Sequence, residues 1–132
     1  MNNDIIKLRE QTGAGVMDAK HALEAANGDF EAAIKILHEK GASKLDKRSD
    51  RTTGSGLIHS YLHGERIGVL VDVRAETDFV VRSDPFRAMA HEMAMQIAAM
   101  NPATVDELLA QPYIKDPSKT VRDLITDVVA KV

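Results

Sequence analysis

The chain has 132 residues, and its 17 Lys plus Arg against 20 Asp plus Glu give a formal net charge of −3. That is the size of one domain, or of a small module joined to a modest one, and the charge argues against a polybasic nucleic-acid coat or membrane anchor. The absence of Cys and Trp excludes a disulfide framework, thiol chemistry and Cys-ligated zinc, and speaks against an aromatic stacking platform.

Residues 4–41 read as three short helices. Ile5, Ile6 and Leu8 share one face of the first, and Thr12-Gly13-Ala14-Gly15 forms the turn that ends it. Val16, Ala19, Leu23 and Ala26 carry the helical period of the second, which Asn27-Gly28 closes. Asp29 suits the N-cap of the third, Phe30, Ala33, Ile34 and Leu37 form its buried stripe, and Gly41 is its expected stop. Residues 42–54 are polar and charged, the composition of a tether or of the polar end of that helix.

Residues 56–74 predict strand, turn and strand. Leu57, His59 and Tyr61 alternate with Ile58, Ser60 and Leu62, and the run from Ile67 to Val73 is apolar enough to suggest the more buried strand. A loop follows to Ser83. Asp84 as N-cap and Pro85 at the first helical position open the longest helix, with Phe86, Met89, Ala90, Met93, Ile97 and Met100 as its stripe. Thr104 and Glu107 have the spacing of a capping box for a short helix through Ala110. A last helix from about Ser118 buries Val121, Leu124, Ile125, Val128 and Val129. Two strands alone make a marginal sheet, so a partner chain, the helices or a further segment must complete it.

The fold class is therefore α+β: a three-helix module over residues 1–41, a polar linker over 42–54, and a core over 55–132 in which an antiparallel hairpin packs on helices. No apolar run reaches the length of a membrane span, and the first residues resemble neither signal nor transit peptide, so a cytoplasmic protein is expected.

Few residues invite covalent chemistry. The five histidines lack metal-ligand spacing, and His59 and His63, four apart on one strand face, stand over about 12 Å apart at roughly 3.3 Å per residue. No metal or cofactor site is expected. The turn at residues 12–15 lacks the Lys and Ser or Thr of a phosphate loop. The linker cations Lys40, Lys44, Lys47, Arg48 and Arg51 are interleaved with Asp46 and Asp50, which favours a solvated tether over an RNA contact; direct nucleic-acid binding is not expected. Met17 sits where a partner-facing role is plausible. Phe79, in the polar segment Glu76-Thr77-Asp78-Phe79-Val80-Val81-Arg82, has two readings: tucked into its own core, or an exposed aromatic anchor beside a carboxylate.

Three segments carry a resemblance. The run from Ile6 through Thr12-Gly-Ala-Gly-Val-Met-Asp-Ala-Lys-His to Leu23 resembles the N-terminal signature of the bacterial elongation factor Ts family, and Glu76-Thr-Asp-Phe-Val-Val-Arg82 resembles its second signature. Gln111-Pro-Tyr-Ile-Lys-Asp-Pro-Ser-Lys-Thr-Val121 is similar to a segment near the C-terminal end of those proteins. The resemblance implies a guanine nucleotide exchange factor, not an enzyme of covalent catalysis, whose partner is the translational GTPase elongation factor Tu. The three-helix module would have a ubiquitin-associated (UBA-like) fold and contact the partner through Arg9, Val16 and Met17. Thr77, Asp78, Phe79 and Val80 would form the exchange wedge, with Phe79 entering a crevice between partner helices and the bound Mg²⁺ disturbed. Arg74-Ala75 stands where family members commonly carry Asn-Cys, which changes polarity beside the wedge but not the wedge itself. The core is expected to be incomplete: family members carry a closing strand after the last helix, and many have a second core subdomain. Short members work as homodimers, so a second copy is a further expected partner. The alternatives are a binding-only partner of a translational GTPase and a ubiquitin-type adaptor based on the first module alone.

Overall fold

A computed structural model describes residues 2–47 and 51–131. Its elements, in chain order, are helices α1 (Asn2–Thr12), α2 (Val16–Ala25) and α3 (Phe30–Lys47), strands β1 (Ser55–His63) and β2 (Ile67–Ala75), helices α4 (Asp78–Val81), α5 (Asp84–Met100) and α6 (Val105–Ala110), strands β3 (Pro112–Tyr113) and β4 (Asp116–Thr120), and helix α7 (Val121–Lys131). Helices and antiparallel strands segregate along the chain, an α+β arrangement. The chain divides into one unit of residues 1–50 with 126–132 and another of residues 51–125.

In the first unit the core is built from small residues. Leu8 and Leu37 meet Ala14, Ala19, Ala22, Leu23 and Ala33, with Ile5, Phe30 and Ile34 packed against them. Alanines at the crossings let short helices approach closely, which compensates for their small apolar faces. Ile6 lies off this face and is exposed, as is Val16. Asp29 accepts from the Ala32 N–H at 3.2 Å and so caps α3. Gly41 does not stop that helix; α3 continues to Lys47. The glycine serves close approach instead. A Cβ there would lie 2.8 Å from the backbone oxygen of Thr126 and 3.0 Å from the Ala130 Cβ, so its missing side chain is the space that the second half of α7 occupies. Of the linker cations, Arg48 lies outside the described residues.

In the second unit β1 and β2 pair antiparallel from Ser55↔Ala75 to His63↔Ile67. Gly64 and Glu65 both have left-handed φ, +54° and +59°, and Arg66 N–H donates to the His63 carbonyl at 3.1 Å, the twist that a two-residue hairpin turn requires. Helix α5 covers one face of the hairpin with Phe86, Met89, Ala90 and Met93, and Val69 and Ala75 of β2 are buried. The other face bears Ile58, Leu62 and Leu70, all exposed. The second strand therefore alternates rather than running buried throughout, because only one face has a helix on it. Met100 is exposed at the end of α5, where Asn101 takes a left-handed φ of +44° and ends the helix. Its N-cap is Ser83, one residue earlier than the Asp-Pro pair suggests, so Asp84 falls in the first turn.

A second ribbon, β3 with β4, was not expected from the strand pattern. It is short and polar, and pairs Pro112↔Thr120 and Tyr113↔Asp116 around an irregularity. It is held by α5 rather than by its own apolar residues. The fully buried Gln96 amide donates to the Gln111 side chain (3.2 Å) and the Pro112 carbonyl (3.1 Å), and its oxygen accepts from the Ile114 N–H at 3.0 Å. One turn earlier, Glu92 accepts from the Tyr113 hydroxyl at 2.6 Å and from Lys115 at 2.8 Å. Ser118 therefore lies in a strand, and α7 begins after Thr120, which exchanges capping hydrogen bonds with Asp123 (2.8 and 3.4 Å).

Candidate functional site

The segment between β2 and α5 is a single helical turn fixed at both ends. The Thr77 hydroxyl accepts from the Val80 N–H at 3.3 Å, an N-cap. At the other end the Val80 carbonyl accepts from the Ser83 N–H at 3.0 Å and from the Ser83 hydroxyl at 2.6 Å. Val81 is buried beneath the turn and anchors it. Residues 77–83 thus form an ordered turn rather than an open loop, and successive residues of one turn point in different directions. With Val81 directed inward, Phe79 projects outward and is 86% exposed.

This decides between the two readings of Phe79 on geometry: the ring is outside its own core. Leaving a phenyl ring in water forgoes about 1.5–3 kcal/mol of transfer free energy. Asp78 stands beside it, exposed, with Arg82 at 3.3 Å across one turn. Glu76, at the base of the segment, pairs with Arg51 at 3.0 Å. The supports Ser83, Arg82 and Arg51 were not singled out from sequence. Ser83 alone carried a local signal, as a capping residue type directly before Asp-Pro.

The other candidate residues lie in the first unit. Gly13 takes φ +71°, its N–H donates to the Arg9 carbonyl at 2.7 Å, and the Thr12 hydroxyl donates to the Leu8 carbonyl at 2.6 Å. Arg9 Nε donates to the Ala14 carbonyl at 3.2 Å, so its guanidinium wraps the turn. Val16 and Met17 open α2 and are 51% and 56% exposed. Next along, Asp18 is paired with Lys40, whose ammonium holds the carboxyl below the usual carboxylate range. The turn thus presents two apolar side chains and a cation together.

The structure sets His59 and His63 apart in role. His59 Nε2 lies 3.0 Å from His91 Nδ1 of α5, and His63 Nδ1 lies 3.0 Å from the Tyr61 hydroxyl. Among the described residues no group of three or more His, Asp or Glu could hold a metal ion, and no helix is long and apolar enough to cross a membrane. A cleft of about 340 Å³ between the hairpin end and α5, lined by Tyr61, His63, Ile67, Met95 and Ile114 among others, contains none of the candidate residues.

The family model described as elongation factor TS matches residues 2–108. Elongation factor Ts of Caldanaerobacter subterraneus subsp. tengcongensis is 40% identical, the match covering 96% of this chain and 86% of that protein. Elongation factor Ts of Moorella thermoacetica is 38% identical over 98% of this chain and 86% of its own length. Elongation factor Ts of Carboxydothermus hydrogenoformans is 40% identical over 96% of this chain and 79% of its own. The first of these alignments runs over 172 residues whereas this chain has 132, so at least 40 aligned residues of that relative face no residue here.

Proposed function

The chain belongs to the elongation factor Ts family, a family of translation elongation factors, and from that premise we propose that it is a guanine nucleotide exchange factor acting on elongation factor Tu. The observation that carries the reading is Phe79, 86% exposed on a turn capped at both ends, with the Asp78 carboxylate beside it. A ring held out in water by a fixed turn suits insertion into another protein, because the cost of ordering it is already met.

The proposed mechanism is non-covalent. A GTPase holds its nucleotide with phosphate-loop amides and a Mg²⁺ ion that bridges phosphate oxygens. Residues 77–80 would enter beside that site, Phe79 between partner helices and Asp78 near the metal. Any displacement of the groups that hold the metal weakens nucleotide binding. Linkage then requires nucleotide to weaken binding of this chain by the same factor, so fresh nucleotide expels it. Arg9, Val16 and Met17 dock the first unit on the same partner. No side chain needs to act as nucleophile or base, and no nucleic acid contact is required. The place of action is the cytoplasm, where translation runs. The hairpin face of Ile58, Leu62 and Leu70 is the surface a second copy would cover in a homodimer.

A binding-only role is the second reading, favoured by the 40 or more residues that the relative carries and this chain lacks. One experiment separates the two: release of a fluorescent GDP analogue from elongation factor Tu in excess unlabelled GDP. Acceleration by the chain supports exchange. Complex formation without acceleration overturns it in favour of binding alone.

A further inference from the structure

The turn at residues 12–15 has a neighbour from the far end of the chain. The second half of α7 belongs to the same unit as α1–α3. It is seated at Gly41, where the space of the missing side chain takes the Thr126 backbone and Ala130, and Thr126 is only 3% exposed. His38 Nδ1 lies 3.1 Å from Asp127 Oδ1 along the same crossing. This seating carries Lys131, in the last turn, over Gly13. A Cβ on Gly13 would lie 2.6 Å from Lys131 Cγ, 2.9 Å from Cδ and 3.0 Å from Cε, so the aliphatic stem lies directly on the turn. Long cationic side chains commonly lay the stem on protein and hold the ammonium in water.

Two cations therefore flank one turn, Arg9 through its bond to the Ala14 carbonyl and Lys131 through its stem on Gly13. Neither forms an ion pair with a described residue, whereas the nearby Asp18 is paired with Lys40. Glu10, next to Arg9 in sequence, lines a different groove with Asp4, Lys7 and Phe30. Val16 and Met17 lie just beyond the turn, exposed. The resulting patch is apolar at its centre and positive at its margin, on a chain whose net charge is −3.

We propose that Lys131 is a partner-binding residue: the C-terminal helix lends a cation to the N-terminal docking patch, and the patch fits a face of the GTPase that is apolar at its centre and edged by carboxylates. This rests on the reading that the first unit docks on elongation factor Tu. A margin cation of this kind acts mainly on association rate and its salt dependence.

The test is the affinity and association rate of the full chain for nucleotide-free elongation factor Tu, at low and high salt. Lys131→Gln keeps carbons at the Cγ and Cδ positions over Gly13 and removes the charge. It is expected to slow association roughly three- to fivefold at low salt, with the difference closing at high salt. Lys131→Glu is expected to weaken binding about tenfold, and Lys131→Arg to retain it. Thermal midpoints of Lys131→Gln and Lys131→Arg should match the parent chain. Equal affinity and salt slope for the parent and Lys131→Gln would overturn the assignment while leaving the docking reading intact. Failure of the parent chain itself to bind would overturn both.

Discussion

The hydroxyl of Thr77 accepts a hydrogen bond from the backbone N–H of Val80 at 3.3 Å, and of the two exposed residues between them, Asp78 and Phe79, the apolar one is Phe79. The two facts are connected. A one-turn helix is too short to persist by propagation alone, so its ends and its buried side must fix it. Thr77 fixes the start, Ser83 the end, and Val81 the buried side. Phe79 is what remains, and it has no partner within its own unit to bury it.

Phe79→Ala should leave the fold nearly unchanged and abolish most of the proposed exchange. An 86% exposed ring contributes little to stability, and exposed substitutions usually shift it by no more than about 0.5 kcal/mol. An aromatic anchor at the centre of an interface commonly contributes about 2 kcal/mol or more, roughly a thirtyfold loss of affinity on truncation. GDP release and a thermal melt on the same preparation check both halves. A melt lowered by several degrees with exchange preserved would contradict the assignment.

Thr77→Ala should loosen the turn without touching the ring. Loss of an N-cap costs about 0.5–2 kcal/mol. Here that cost falls on a local equilibrium, so hydrogen exchange at Val80 and Val81 should quicken while the global melt moves little. Exchange on the GTPase should fall several-fold, because the aromatic ring must now be ordered during binding. Thr77→Ser keeps the hydroxyl and should restore both measurements. Equal activity in Thr77→Ala and the parent would separate the cap from the function.

These supports explain what could be read from the sequence. The helical period of α1, α2, α3 and α5, the alternation in β1, and the Asp29 and Thr104 caps are local signals, and the structure places them where the spacing does. Phe79 was visible as an aromatic in a polar segment, but its exposure depends on Val81 being drawn inward, which is a tertiary fact. Gly41 was misread because a glycine late in a helix usually marks its end. What decides its role is Ala130, eighty-nine residues later, and no local pattern carries that pairing. The β3–β4 ribbon was missed for a related reason. Its residues are polar and include Pro112 and Pro117, and it is held by Gln96 and Glu92 of α5 instead of by strand propensity. A buried glutamine on an otherwise apolar helix stripe was the available clue.

Gly41→Ala sets two effects against each other. Alanine in a helix interior is favoured over glycine by about 1 kcal/mol. Against that, the new methyl would stand 2.8 Å from a backbone oxygen, which cannot move aside as a flexible side chain can. Overpacking of this kind costs about 1–3 kcal/mol. The net expectation is destabilisation, and with it a displaced second half of α7. Urea unfolding should show a lower midpoint for Gly41→Ala, and Gly41→Leu should be worse. A higher midpoint for Gly41→Ala would mean that α7 does not pack on α3 in solution.

The Glu92–Tyr113 bond predicts a stability that falls at both ends of the pH scale. For Glu92, burial raises the carboxyl pKa, but the hydrogen bonds from Lys115 and Tyr113 outweigh it, and the folded value lies below the ordinary 4.5. A depressed carboxyl stabilises the fold above its unfolded pKa, and that stability is lost as pH falls through the folded value. The acid loss should therefore begin near pH 4.5 and deepen below it. For Tyr113, burial comes first, and the hydrogen bond to the Glu92 carboxylate adds to it; both push the phenol pKa above its ordinary value of 10.0. A raised phenol stabilises the fold fully below the unfolded pKa, so its share erodes as pH climbs past about 10. Glu92→Gln should flatten the acid limb of the thermal midpoint against pH, and Tyr113→Phe the alkaline limb. Because β3 is tied to α5 through this pair, both variants should also speed hydrogen exchange at Ile114. An acid limb of unchanged depth in Glu92→Gln would mean that other carboxylates govern it and that Glu92 does not hold the ribbon.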